Sequence, residues 1–138
     1  MSERIDQFCE NLRIKLTSID KSMQELKVKI DSKTQAAEQE VRTRLQTVKK
    51  RIEQDRTRLQ TAQADLRKWV DDLKAASTEK IGEWKAKRDE AKLQIRAEIA
   101  ERYAVAAGVV ALAAVDEAEQ AALEAWLARK DTDEAKAA

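Results

Sequence analysis

A chain of 138 residues with no proline, two glycines (Gly82 and Gly108) and one asparagine (Asn11) has very few places to reverse direction. Tight turns draw on Gly, Pro, Asn and Asp, because these supply a positive φ, a preset φ or a local side-chain hydrogen bond. Folds that join many strands by short loops need such positions repeatedly, so Rossmann, TIM-barrel and sandwich architectures are excluded. The residues that dominate instead, Ala, Glu, Lys, Gln, Arg and Leu, lose little side-chain freedom in a helix. The chain therefore reads as all-α, a few long helices.

The apolar pattern gives those helices their faces. Leu12, Leu16, Ile19, Met23, Leu26 and Ile30 alternate spacings of four and three, the seam of a coiled coil, and Ile5 and Phe8 extend it backward. Val41, Leu45, Val48, Ile52, Leu59, Ala62, Leu66, Trp69 and Leu73 resume the alternation, with Asp55 in one seam position. Two registers meet within residues 31–45. With no Gly or Pro there, a continuous helix over 1–76 carrying a stutter is favoured. The other reading is a break at 31–34, with Ser32 capping a new helix and Gln35 three residues on.

A stronger break lies at 75–82, where Ser77 or Thr78 can cap, Glu79 suits the positive end of a helix dipole, and Gly82 relaxes the backbone. Composition changes at the same place: four alanines precede residue 75 and twenty follow from Ala75 onward. The expected fold is an elongated antiparallel helical hairpin or coiled coil, with an Ala-rich second helix over 77–130 and a frayed tail over 131–138. A turn centred near residue 77 pairs positions whose numbers sum to about 154. That sets Leu45 against Val109 and brings Asp55 near Arg102, an ion pair able to fix the register.

In this hairpin the second arm runs out opposite Met23, leaving Ile5, Phe8, Cys9, Leu12, Leu16 and Ile19 without a partner. The segment Tyr103–Val115, including Val109, Val110 and Leu112, is apolar on every face, as buried helices are. These are the expected assembly or partner surfaces, and two hairpins joined as a four-helix bundle would cover both. If the first helix folds back at 31–34 instead, a three-helix bundle results.

Charge is balanced overall, 27 basic against 26 acidic residues, so no global field favours nucleic acid or membrane. The halves differ. Residues 1–76 carry 17 basic and 13 acidic side chains and residues 77–138 carry 10 and 13, which suits pairing of one half with the other. Arg42, Arg44, Lys49, Arg51, Arg56 and Arg58 flank the seam on both sides. They repel a parallel copy of themselves and favour an acidic-edged partner, with Glu98 and Glu101 expected to neutralise some of them. The N-terminus lacks the apolar core of a signal peptide, and the longest uncharged run falls short of a membrane span. A cytoplasmic location is expected, with Cys9 unable to form an internal disulfide.

Catalysis is poorly supplied. With no histidine there is no imidazole base, no Ser-His or Cys-His pair and no histidine metal ligand, and two distant glycines make no phosphate loop. No cofactor, metal site or enzymatic activity is expected. The expected role is a scaffold or adaptor acting through self-association, as a homodimer or higher homo-oligomer, and through protein partners. In composition the chain is similar to phasins, helical coat proteins of bacterial storage granules. That resemblance carries no motif, and it implies the second reading, an amphipathic binder of granule or membrane surfaces. Nucleic-acid binding through the basic stripe at 42–58 is the third.

Overall fold

A computed structural model describes residues 3–31 and 34–137, with Lys29 and Ile30 described by backbone alone. Among the described residues the structure is helical apart from short connections: α1 Glu3–Asp31, α2 Gln35–Ala75, α3 Thr78–Ala86 and α4 Glu90–Ala137. The all-α expectation holds, and α2 and α4 pack as an antiparallel helical pair. The chain divides into two compact units, Met1–Glu10 with Thr57–Ala111, and Asn11–Arg56 with Leu112–Ala138.

The favoured continuous helix over 1–76 is not formed. α1 ends at Asp31 and α2 begins at Gln35. The new helix is capped by Thr34, whose Oγ1 accepts from the Ala37 amide at 3.1 Å and whose carbonyl accepts from the Glu38 amide at 3.1 Å. The proposed cap Ser32 lies outside the described residues. A β-hydroxyl thus supplies the acceptor that the first free amides of α2 need, and no glycine is required.

The second unit has a core drawn from three helices. Leu26 of α1, Val41, Leu45 and Val48 of α2, and Leu123 and Leu127 of α4 are buried together, with Met23, Ile52 and Trp126 packed against them. Each fully buried aliphatic side chain contributes about 1.5–3 kcal/mol, which is the physical reason for α1 to fold back. Of the stripe left without a partner in the hairpin reading, Leu12 and Ile19 are half-buried, while Cys9 and Leu16 remain exposed.

The α2·α4 register also differs from the expected one. In the second unit the ion pairs Glu38–Lys130, Arg44–Glu119, Lys49–Glu124 and Arg51–Asp116 join positions whose numbers sum to between 163 and 173. The reversal is therefore centred near residue 84 rather than 77. This register sets Asp55 opposite the region of Ala113, so the Asp55–Arg102 pairing is not the one that sets it.

The first unit contains two turns where the sequence suggests one. Ser77 does cap a helix, its side chain accepting from the Lys80 amide at 3.2 Å, but that helix is only the nine residues of α3. A second turn follows at Lys87–Asp89. Arg88 takes the left-handed conformation at φ 54°, the Asp89 amide donates to the Trp84 carbonyl at 2.8 Å, and the Arg88 amide donates to the Lys85 carbonyl at 3.2 Å. These are the paired bonds of a Schellman motif, with arginine where glycine is usual. Asp89 Oδ1 then accepts from the Lys92 amide at 3.2 Å and starts α4. Gly82 lies inside α3 with no positive φ, so it does not make the turn.

Residues 131–137, expected as part of a frayed tail, continue α4, which runs to Ala137. Lys130 Nζ holds Glu38 at 3.0 Å and sits 5.5 Å from the Trp126 ring centroid, tying the last turns to the start of α2.

Candidate functional site

The basic block identified in the sequence is consumed mainly inside the second unit. Val41, Leu45, Val48 and Ile52 turn one stripe of α2 toward the core, so Arg44 and Arg51 stand at its margin. On α4, Asp116 and Glu119 continue the stripe of Leu123 and Leu127 at spacings of three and four, which carries both carboxylates inward to 2% and 4% exposure. Arg44 Nε donates to Glu119 Oε1 at 2.6 Å, and Arg51 Nη2 donates to Glu119 Oε2 at 3.2 Å. Arg51 Nη2 also stands 3.1 Å from Asp116 Oδ1, although that oxygen and Arg51 Nε have no aligned hydrogen-bond partner.

Two guanidinium groups against two carboxylates balance in charge. The four side chains form a largely buried ion-pair cluster between α2 and α4. A slip of one turn leaves its buried charge uncompensated. Its acidic half escaped the sequence reading, which assigned neutralisation to Glu98 and Glu101. The available signal was the spacing 116, 119, 123, 127, a seam whose first two positions are acidic.

The remaining flank charges are paired as well. Lys49 meets Glu124 at 3.3 Å, Arg42 meets Glu38 at 3.0 Å, and Arg56 meets Glu53 at 3.0 Å. Hydrogen bonds from Lys130 and then Arg42 hold the Glu38 carboxyl below the usual carboxylate range. Hydrogen bonds from Gln120 and Lys49 lower Glu124. Five of the six cations that would track a phosphate backbone thus face acidic partners in the same chain, leaving Arg58, which lies in the first unit.

The expected interface residues separate by unit. In the second unit Leu12 and Ile19 are half-buried, Leu16 is 44% exposed and Leu112 is half-buried. In the first unit Cys9 is exposed, while Ile5, Tyr103, Val109 and Val110 are half-buried. Phe8 is placed on Gly108. A Cβ at Gly108 would stand inside van der Waals distance of the Phe8 ring, so this glycine is where α1 and α4 come close. With the Arg4–Glu101 ion pair at 3.5 Å, the contact runs α1 parallel to α4 in this unit.

What distinguishes the first unit is how little it buries. Among its described residues only Ala62, Ala106 and Gly108 are buried. Its large apolar side chains, Trp69, Val70, Leu73, Ile81 and Trp84 among them, all remain partly exposed, and Ile95 is 56% exposed. α1 supplies only its first residues here, so the α2·α4 pair toward α3 is a two-helix layer with no third helix over it.

Among the described residues no three His, Cys, Asp or Glu side chains are grouped to hold a metal ion, and no helix is long and apolar enough to cross a membrane. Comparison of the chain with protein-family models, with curated proteins and with solved structures gives no match in any of the three.

Proposed function

We propose that this protein is a non-catalytic helical association module, with self-association through the first unit as its primary mode and protein scaffolding as its role. The observation that carries the reading is the contrast between the units. The second closes a core over Leu26, Val41, Val48 and Leu123, whereas among its described residues the first buries no large apolar side chain completely. A two-helix layer with half-exposed tryptophan, leucine and isoleucine gains about 25 cal/mol for each Å² of apolar surface that a further layer removes from water. A second copy supplies the same surface, and two such layers make four helices around one core.

Sedimentation velocity of the full chain tests this. A dimer or larger species is expected at micromolar concentration. Ile95→Asp places a charge in that surface without disturbing a buried side chain, and it should shift the population to monomer while leaving helicity intact. A monodisperse monomer for the unaltered chain would overturn the reading.

A second reading, binding to an apolar granule or membrane surface, draws support from the partial exposure of Trp69 and Trp84. Flotation with lipid vesicles, read with tryptophan emission, decides it, because insertion moves the chain to the lipid fraction and shifts emission to shorter wavelength.

A further inference from the structure

The first unit contains a cleft of about 560 Å³, within the range of small-molecule sites. One wall is a single face of α2, where Arg58, Ala62, Asp65 and Trp69 follow at spacings of four, three and four. The other wall is a face of α4, with Arg102, Val105, Ala106 and Val109, and the first turn of α1 adds Arg4. The lining combines apolar side chains with three arginines and one carboxylate, Asp65.

Arg4 is engaged by Glu101, but Arg58 and Arg102 have no ion-pair partner among the described residues, nor has Asp65. Because α2 and α4 run antiparallel, Arg102 lies across the cleft from the Asp65–Trp69 end of α2, the end that carries the only carboxylate in the lining. Arg58 lies at the other end, beside Val109, with no acidic residue near it in the lining. From Arg58 to Trp69 is eleven residues, about 16 Å along the helix. An uncompensated guanidinium at one end of an apolar trough ending in an indole matches a molecule with one anionic head and a hydrocarbon tail.

We propose that this cleft binds a single long-chain carboxylate, its head on Arg58 and its tail lying over Val105, Ala106 and Val109 toward Trp69. The inference goes beyond the association reading; the cleft shares Trp69 with the association surface, while Ile95 is outside the cleft lining.

Calorimetric titration of the full chain with laurate below its micellar concentration tests the proposal. Saturable binding of one laurate per chain is expected. Arg58→Ala should weaken it about tenfold, the loss of one charge-assisted contact, with thermal unfolding unchanged because Arg58 is exposed and unpaired. Thr61→Trp, which fills the wall from an exposed position, should abolish binding independently. Hexanoate and methyl laurate should each bind at least tenfold more weakly, the first lacking tail and the second lacking charge. Ile95→Asp should alter oligomeric state and leave laurate affinity unchanged, which separates failure of this proposal from failure of the association reading. No laurate binding, equal binding by Arg58→Ala, equal binding of methyl laurate, or interaction with phosphatidylglycerol vesicles but not with monomeric laurate would each overturn it.

Discussion

Arg51 lies 3.1 Å from Asp116 and 3.2 Å from Glu119, so one guanidinium on α2 spans two carboxylates a turn apart on α4, both almost entirely buried. Arg44 meets the other oxygen of Glu119, and together the four side chains hold the α2·α4 register of the second unit. A charge cluster placed among Leu123, Val48 and Leu45 is a poor source of net stability, since desolvation opposes the Coulombic gain. Its effect is selective, because a slip of one turn leaves a buried carboxylate without its cation.

Removing one member should therefore be costly while replacing all of them is not. Arg51→Met leaves Asp116 buried without a cation, and a loss of about 3 kcal/mol is expected from the urea midpoint at constant slope. A fourfold variant with Met at 44 and 51 and Leu at 116 and 119 should recover most of that loss. It should also populate more than one α2·α4 alignment, visible as weaker cross-linking between cysteines placed at positions 49 and 124, which the native alignment brings together.

Gly108 offers a test of close packing between α1 and α4. Gly108→Ala gains up to about 1 kcal/mol of helix propensity but forces the Phe8 ring aside, and overpacking costs about 1–3 kcal/mol. Net destabilisation is expected in thermal unfolding. In the Phe8→Ala background the same substitution should stabilise, and the difference between the two measurements is the coupling of the pair.

Acid should loosen the second unit at its carboxylates first. Glu38 and Glu124 have folded-state pKa values below their ordinary one, so their contribution is fully present above the ordinary carboxylate value and is lost as pH falls through the lowered folded value. Stability measured from pH 7 downward should decline in that acid range. Glu38→Gln with Glu124→Gln should flatten the decline, and salt should diminish the contribution at neutral pH mainly through the exposed Arg42–Glu38 and Lys49–Glu124 pairs.

The turn at Arg88 can be relieved. A left-handed conformation costs an L-residue about 1–2 kcal/mol, and glycine removes that cost while adding about 0.5–1 kcal/mol of unfolded-state entropy. Arg88→Gly should raise stability by up to about 1 kcal/mol. Asp89→Ala, which removes the α4 cap, should lower it by about 1 kcal/mol. Both are read from the shift in thermal midpoint.

Much of the fold was legible because helix periodicity is local. The seam through Val41, Leu45, Val48 and Ile52 follows from spacing alone, and so does the cap at Ser77. The turn at Arg88 was not legible: a residue with poor preference for positive φ adopts it because Asp89 can cap the next helix and both flanking helices are held elsewhere. Asp89 itself was a readable signal that alanine-rich composition masked. The inward aim of Asp116 and Glu119 was equally hidden, since an acidic residue at a seam position reads as solvated until a cation is known to face it.

By itself, then, the sequence determined that this protein is helical, that its halves carry opposite charge and that its side chains lack the groups for histidine or glycine-loop chemistry. These are properties of individual residues and their spacing. Only the tertiary structure decided that α1 folds back, that α2 and α4 pair about a centre near residue 84, and that the second unit closes a core while the first leaves Trp69, Trp84 and Ile95 in partial contact with water. Those outcomes depend on which apolar stripe is buried by which partner, and an amphipathic helix has the same sequence pattern whichever partner covers it.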